Sequence, residues 1–235
     1  MSTNIINELN LLLENKEPEF VLNYFVEKYK GKTVFSTSFS IEDQVITDLL
    51  SKLPQIPKIF TLDTGRLPEE TYKIIEKTME HYGIDIEVFF PNHCLIEEMV
   101  KQKGVNLFYN SIEDRKRCCY VRKLEPLKRA LVGSEVWITG LRREQSITRQ
   151  NINVVEYDEA NQIIKVNPLF KWTEQEVWDY IKKNNVPYNT LYKKNYTSIG
   201  CEPCTRPTKP GEDVRAGRWW WENPETKECG LHFTK

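Results

Sequence analysis

Apolar residues recur along the first two thirds of the chain at two different spacings. Helical spacing appears in two opening stretches, 4–14 and 18–29, and again in later ones. Between the later stretches stand short runs rich in β-branched and aromatic residues, which is typical of strands. The predicted strands are 32–34, 58–62, 84–90 and 135–139, and the predicted later helices are 41–50, 68–81, 95–103 and 120–131. Strands that alternate with helices predict an α/β fold, a mostly parallel sheet flanked by helices on both faces.

The last third of the chain changes character. Residues 153–157 and 163–166, joined by four polar or small residues, predict a hairpin. Thr173 and Glu176 have the spacing of a capping box and predict a helix start. Beyond residue 187 the periodicity fades, and cysteines, prolines and three adjacent tryptophans take over. We therefore expect a single domain over 1–235 whose C-terminal tail, from about 205 to 235, is organised by chemistry.

Composition narrows the function classes. The chain has 235 residues, 40% of them hydrophobic and 29% charged, with a formal net charge of -1. Such a balance suits a soluble globular protein and predicts no nucleic acid or membrane as a partner. No run approaches the roughly 20 apolar residues of a membrane span, and the start, with Glu8 and Glu14, lacks the basic region of a secretory signal. We expect a cytoplasmic protein whose six cysteines serve metal binding or catalysis.

Four cysteines in two groups carry the strongest chemical indication. Cys118 and Cys119 are adjacent, and Cys201 and Cys204 stand in a Cys-Glu-Pro-Cys sequence. Adjacent ligands are awkward around a single zinc ion, whose paired ligands normally have spacers. An iron–sulfur cubane is wider, so neighbouring thiolates can reach different irons. On spacing alone a cluster is favoured, while zinc and free thiols stay open.

Two further cysteines receive different interpretations. Cys229 stands in Glu-Cys-Gly-Leu-His, where Gly230 allows close approach and His232 follows three residues on. A thiol there is a candidate nucleophile if nearby cations raise its thiolate fraction. Cys94 begins an apolar helical pattern, and we expect it to be buried.

Polar loops follow three predicted strands. Hydroxyls cluster in residues 36–40, which suits an anion at a helix N-terminus, although the glycine–lysine pattern of a P-loop is missing. Ligands of such sheets bind beyond the carboxyl ends of the strands, so we expect the three loops to meet at one edge. The predicted substrate-binding residues are Ser36, Thr37, Ser38, Ser40, Asp63, Thr64, Gly65, Arg66, Gly140, Leu141, Arg142 and Arg143. Lys123, Arg215 and Arg218 complete the basic set, and Trp219, Trp220 and Trp221 are expected to pack the tail onto the core.

These motifs together resemble the assimilatory adenylyl-sulfate and phosphoadenylyl-sulfate reductases. The match runs from Ser36 to His232 and includes Leu-Asp-Thr-Gly-Arg, Cys-Cys-x-x-Arg-Lys, Gly-Leu-Arg-Arg, Cys-Glu-Pro-Cys, Arg-Trp-Trp-Trp-Glu and Glu-Cys-Gly-Leu-His. The resemblance implies an adenine nucleotide α-hydrolase-like fold, related to the ATP pyrophosphatases. It implies a 4Fe–4S cluster on Cys118, Cys119, Cys201 and Cys204, and a preference for adenosine 5′-phosphosulfate. One departure is Ser40, where many relatives have glycine, and a side chain there could narrow the loop.

The same resemblance implies a reaction. Cys229 would be the nucleophile, with Lys123, Arg215, Arg218 and His232 in the catalytic set, and thioredoxin or glutaredoxin would supply electrons. The product, sulfite, would enter sulfate assimilation and cysteine biosynthesis. Reduction of the 3′-phosphorylated substrate, or of both substrates, is the alternative. An ATP pyrophosphatase is disfavoured because residues 36–40 hold no glycine, and a zinc-ribbon nucleic-acid binder is disfavoured by the near-neutral charge. Homo-oligomer formation is left open.

Overall fold

The computed structural model describes residues 3–146, 149–223, 227 and 230–231. Its helices and strands alternate through the first two thirds of the chain, as the periodicity predicts. The helices are α1 (Thr3–Leu13), α2 (Pro18–Lys28), α3 (Ile41–Ser51), α4 (Glu69–Tyr82), α5 (His93–Lys103), α6 (Ile112–Cys119), α7 (Glu125–Ala130) and α8 (Glu174–Asn184). The strands are β1 (Thr33–Ser36), β2 (Lys58–Leu62), β3 (Glu87–Phe89), β4 (Val136–Ile138), β5 (Val155–Asp158) and β6 (Ile163–Val166).

The six strands form one sheet in the order β3-β2-β1-β4-β6-β5. β1 pairs in parallel with β2 and β4, and β4 pairs in parallel with β6. Phe35 lies beside Ile138 in this register, so the loops that follow β1 and β4 leave the sheet at the same edge. The predicted hairpin is confirmed, since β5 and β6 are antiparallel. The prediction of a mostly parallel sheet flanked by helices is confirmed as well.

Local sequence explains where several helices begin. Ser40 caps α3 by accepting the backbone N–H of Asp43 at 3.2 Å. Thr173 and Glu176 form the predicted capping box at the start of α8. Ser111 caps α6 in the same manner, accepting from Asp114. These side chains satisfy N–H groups that the first helical turn leaves without an intrahelical partner.

The helical stretch around residue 120 is longer than its sequence pattern predicts. α6 begins at Ile112, a wider π-helical turn covers Tyr120–Leu124, and α7 then continues to Ala130. Seven of the eight residues of α6 are charged or cysteine, so apolar spacing does not predict it. Its one fully buried charged side chain, Arg115, explains how so polar a helix packs.

Cys94 corrects one prediction. It is exposed in the first turn of α5, where Asn92 accepts its backbone N–H at 3.0 Å. The buried residue of this helix is Met99, one and a half turns further on. The predicted burial of Cys94 is wrong because its apolar pattern belongs to later positions of the helix.

Two compact units account for the internal contacts of the chain. The first comprises Met1–Thr61, Glu70–Glu87 and Gly133–Asn189, and the second comprises Leu62–Glu69, Val88–Val132 and Thr190–Lys235. Each has buried apolar residues of its own. The single domain with a C-terminal tail stays a prediction. Within the described ranges, no helix has the length and apolar character needed to cross a membrane.

Candidate active site

The hydroxyl loop after β1 belongs to the first unit, and its side chains bind one another and the sheet. Ser36 Oγ accepts the indole N–H of Trp137 at 2.8 Å, and Thr37 Oγ1 accepts the N–H of Phe39 at 3.0 Å. Ser38 donates both its N–H and its hydroxyl to Asp43, each at 2.7 Å. Each hydroxyl therefore has a structural partner, Ser40 included, and their contact with substrate stays a prediction. The Ser40 side chain is directed to the N–H of Asp43, which accounts for its hydroxyl without a ligand.

Asp43, in the first turn of α3, is the buried carboxylate to which this loop binds. Burial is the main cause that raises the pKa of its carboxyl to about 6, against the lowering effect of the hydrogen bonds from Ser38. Gly140, which follows β4, lies directly against it, since a Cβ there would overlap Oδ1 of Asp43 and stand 3.2 Å from Cβ of Glu42. The loop after β4 thus lies against the first turn of α3, and the absence of a side chain at position 140 permits that contact.

The two arginines after β4 have protein partners. Arg142 is 3% exposed, and its guanidinium donates to Oε1 of Glu42 at 2.7 and 2.9 Å. Arg143 donates to the carbonyl of Ile152 at 2.9 Å and lies over the ring of Phe170. Arg142 therefore joins its loop to α3 by a buried ion pair. The geometry gives both residues a supporting role, and direct substrate contact by them stays a prediction.

The second unit gathers the four cysteines that the sequence singles out. Cys118 and Cys119 end α6, and Cys201 and Cys204 flank a short 3-10 turn, Glu202–Cys204. All four are free thiols, 7–8% exposed, in one buried cluster. They line a pocket whose empty volume, with its part open to solvent, is about 360 Å³. We call this the thiol pocket; its other lining residues are Arg66, Phe108, Arg115, Arg122, Lys123, Pro203, Arg218 and Trp219.

The loop after β2 reaches the thiol pocket through Thr64. The Cys201 thiol donates to Oγ1 of Thr64 at 3.3 Å, and Arg122 donates to the carbonyl of Thr64 at 2.6 Å. Asp63 holds the turn by accepting the N–H of Gly65 at 2.7 Å, and Gly65 adopts a φ of +67° that favours glycine. The predicted residues 63–66 thus lie beside the cysteines.

Trp219 forms one wall of the thiol pocket between two arginines. The guanidinium carbons of Arg115 and Arg218 lie 4.8 and 4.7 Å from its ring centroid. Its backbone φ of +40° is unusual for so bulky a residue. Its backbone N–H donates to the carbonyl of Cys204. Arg115 also forms a bidentate ion pair with Glu222, at 2.8 and 2.9 Å, with side chains 0% and 3% exposed. The predicted packing of the tryptophans onto the core is confirmed for Trp219 and, in part, for Trp221, whereas Trp220 is 40% exposed.

The thiols experience opposing electrostatic effects. For Cys201, burial opposes ionisation, but the charge of Lys123, the hydrogen bond with Thr64 and the charges of Arg218 and Arg122 together lower its pKa. Burial raises the pKa of Cys118. Burial, followed by the proximity of Cys201, raises the pKa of Cys204 to about 12. The cations of the pocket therefore favour negative charge mainly at Cys201.

Three residues that line the thiol pocket each have a buried N–H group without an acceptor among the described residues. They are Nε of Arg122, Nε of Arg218 and Nε1 of Trp219. Buried donors are nearly always paired in folded proteins. A group with acceptor atoms bound at this pocket could pair with them.

Three residues of this site escape sequence reasoning. Arg115 precedes Cys118 and Cys119 by three and four positions, which in a helix places all three on one face; recognising the polar helix would have revealed it. Arg122 stands in the Cys-Cys-x-x-Arg-Lys motif beside the predicted Lys123. Glu222 ends the Arg-Trp-Trp-Trp-Glu motif, but the motif alone does not give it a role. Arg215, although predicted, is not among the pocket's lining residues; it donates to the carbonyl of Lys227 at 2.8 Å. The predicted Cys229 and His232 lie outside the described residues.

Single-ion geometry is not seen around these thiols. Among residues 3–146, 149–223, 227 and 230–231, no three cysteine, histidine or acidic side chains are grouped to hold one metal ion. The four thiols nevertheless line one pocket.

The amino-acid sequence is similar to a known domain family and to individual proteins of known name. Residues 32–207 match the phosphoadenosine phosphosulfate reductase domain family. The chain is 55% identical over 199 residues to adenosine 5′-phosphosulfate reductase of Allochromatium vinosum, covering 85% of this chain and 78% of the relative.

Two solved structures resemble the fold. Phosphoadenylyl-sulfate reductase from Candida auris, in a phosphate complex, has a TM-score of 0.76 and 29% identity, covering 88% of this chain and 98% of the other. Candida glabrata FMN adenylyltransferase has a TM-score of 0.59 at 16% identity, covering 100% and 78%. The predicted adenine nucleotide α-hydrolase-like fold is thereby confirmed.

Proposed function

The chain belongs to the phosphoadenosine phosphosulfate reductase domain family, and from that membership we propose that it reduces adenosine 5′-phosphosulfate to sulfite and AMP. The observation that carries the proposal is the thiol pocket, where four buried cysteines lie among cations on a chain of this family. Cations around such a pocket favour negative charge, which suits an anionic sulfonucleotide bound beside the group that the cysteines would hold. The reaction would serve assimilatory sulfate reduction.

Cys229 is the proposed nucleophile. Its thiolate attacks the sulfur of the phosphosulfate, the bond from sulfur to the phosphate oxygen breaks, and AMP leaves with that oxygen. The enzyme then holds an SO3 group on the Cys229 sulfur. A dithiol protein such as thioredoxin or glutaredoxin attacks that sulfur and releases sulfite, and its second thiol resolves the mixed disulfide. Oxidation of the partner's two thiols to a disulfide supplies the two electrons.

Cations of the chain would stabilise the leaving phosphate. Lys123 and Arg218 line the thiol pocket, and Arg215 is included by family resemblance. A preorganised donor aimed at developing negative charge contributes about 3 kcal/mol in other enzymes. Residues 36–40, 63–66 and 140–143 would bind the nucleotide, and His232 would act beside Cys229.

A 4Fe–4S cluster is the proposed resident of the thiol pocket. Cys118, Cys119, Cys201 and Cys204 would be its ligands, because four thiolates are the usual ligand set. The unpaired donors of Arg122 and Trp219 fit the same group, since cluster sulfurs accept hydrogen bonds. When bound, the cluster would supply local charge and fix the ligating loops; both reducing electrons come from the thiol partner.

Iron and sulfide content tests the cluster. Protein purified without oxygen is expected to be brown and to contain iron and acid-labile sulfide in equal amounts, because a cubane holds four of each. Stoichiometric zinc without sulfide, in protein made with ample iron, would contradict the assignment.

Product analysis tests the reaction itself. With adenosine 5′-phosphosulfate and reduced thioredoxin, the protein is expected to release sulfite and AMP in a one-to-one ratio. Without a reductant, one equivalent of AMP should form and no free sulfite, because the SO3 group stays on the enzyme until a thiol releases it. The proposal fails if nucleotide is consumed in the presence of the reductant without release of sulfite.

We also place the enzyme in the cytoplasm, in keeping with five described cysteines that are all free thiols.

A further inference from the structure

The guanidinium of Arg218 lies in a narrow slot within the second unit. The ring of Trp219 borders the slot, 4.7 Å from the guanidinium carbon. The backbone of Gly200, the residue before Cys201, also lies against the guanidinium. At the end of the slot, Nη1 of Arg218 donates to the carbonyl of Ile199 at 3.2 Å. Arg218 is only 6% exposed, so the slot determines where this cation sits.

Gly200 is the element of the slot that tolerates no side chain. A Cβ at this position would stand 2.8 Å from Nη1 of Arg218 and closer still to Cζ and Nη2. All three atoms belong to the end of one flexible side chain. Adding a methyl group would therefore move the guanidinium and leave the surrounding backbone in place.

The slot also gives Arg218 a direction. Nη1 is engaged with the carbonyl of Ile199, whereas Nε is buried without an acceptor among the described residues, in a side chain that lines the thiol pocket. A buried N–H of a cation without an acceptor implies a ligand acceptor near it. Because the guanidinium is planar and lies close to both Trp219 and Gly200, the direction of its Nε–H is set by those contacts.

We propose that Gly200 is a positioning residue for the reaction: it holds the Arg218 guanidinium at the height and angle needed to meet the phosphosulfate of the substrate. The inference rests on the proposed function, since it names what Arg218 is positioned for. It adds a residue that contacts neither substrate nor product and acts only through Arg218.

Gly200→Ala tests the slot. Its kcat/KM for adenosine 5′-phosphosulfate is expected to fall about 100-fold, because misplacement of a catalytic contact by about 1 Å costs on that order. Iron and sulfide content should stay as in the wild type. In an Arg218→Lys background, which lacks the planar head group, the same substitution should change kcat/KM by no more than about threefold, so the two effects are not additive.

Ser198→Ala is the matched control, since it removes only a 3.5 Å contact to Nη1 of Arg218 and leaves the slot open. Its kcat/KM should stay within about threefold of wild type. The inference is overturned if Gly200→Ala keeps wild-type kcat/KM, or if its loss is equally large in the Arg218→Lys background. If Gly200→Ala alone does not fold, the double variant should fold and match Arg218→Lys, and its failure to do so also overturns the slot.

Thermal unfolding separates this inference from the proposed function. The proteins compared are wild type, Gly200→Ala, Arg218→Lys and the double variant. The changes in their unfolding midpoints are expected to be non-additive whether or not any of them turns over substrate. A wild type that makes no sulfite would refute the function and leave a non-additive cycle in support of the slot. A wild type that makes sulfite, together with additive midpoints and additive losses of kcat/KM, would refute the slot alone.

Discussion

Cys229→Ser is expected to lose sulfite release by at least about a thousandfold, the scale on which other enzymes respond to removal of a covalent nucleophile. A serine hydroxyl stays protonated at neutral pH, whereas a thiol supplies some thiolate. The variant should still contain iron and sulfide in wild-type amounts and should still bind AMP, because Cys229 is not among the proposed ligands. Turnover assays, metal analysis and equilibrium dialysis measure the three quantities.

Peptide mass spectrometry shows where the sulfite group is held. Wild-type protein incubated with substrate and no reductant should carry one SO3 group on the peptide that contains Cys229, and thioredoxin should remove it as sulfite. Cys94→Ser is the control, since Cys94 is exposed and outside the proposed chemistry; it should keep both activity and adduct. Sulfite release by Cys229→Ser at a rate near wild type would show that another group is the nucleophile.

Arg115→Met is expected to lower the free energy of unfolding by about 3–5 kcal/mol. The substitution leaves the carboxylate of Glu222, 3% exposed, buried without its cation, and an uncompensated buried charge costs that much. It also removes one of the two guanidinium groups that lie on the ring of Trp219. Urea unfolding, followed by tryptophan fluorescence, measures the change.

A double variant distinguishes loss of the ion pair from loss of packing. Arg115→Met with Glu222→Met should recover most of the stability, because apolar replacement of a complete buried pair is often neutral. Lys103→Met is the reference for an exposed pair: Lys103 lies 3.3 Å from Asp114 and its side chain is 47% exposed, so a change within about 1 kcal/mol is expected. An Arg115→Met variant no less stable than Lys103→Met would mean that the buried pair does not stabilise this unit.

Much of the fold follows from apolar spacing. Strands such as Val136–Ile138, in which all three residues are buried, can be predicted from their β-branched and aromatic residues. The hairpin of β5 and β6 and the start of α8 follow from short polar connections and a capping box. Helix α6 could not be predicted this way, because its stability depends on Arg115 and a cap at Ser111 more than on an apolar stripe.

The site could be predicted in its residue types and only partly in its contacts. Adjacent cysteines and a Cys-x-x-Cys pair predict one centre, and the structure places all four in one pocket. Contacts between distant segments, such as Thr64 with Cys201 or Gly200 with Arg218, depend on how loops fold back on one another, and no local pattern records that. The predicted arginines after β4 show the same limit, since the carboxylate that pairs with Arg142 comes from α3, one hundred positions earlier.

Choice of substrate depends on whether a cation is available for a 3′-phosphate. The four arginines that could meet it all have protein partners: Arg142 pairs with Glu42, Arg143 with the carbonyl of Ile152, and Arg149 with Gln145 at 2.7 Å. Arg66 donates to Val105. Binding a 3′-phosphate would require one of these to leave its partner, so the unphosphorylated ribose is the better fit.

The ratio of kcat/KM values for the two sulfonucleotides tests the proposed function most directly. Protein handled without oxygen and supplied with reduced thioredoxin is assayed with adenosine 5′-phosphosulfate and with 3′-phosphoadenosine 5′-phosphosulfate under identical conditions. We predict a higher kcat/KM for adenosine 5′-phosphosulfate, with sulfite and AMP as products. A clear preference for the 3′-phosphorylated substrate, or sulfite from neither, would contradict the account.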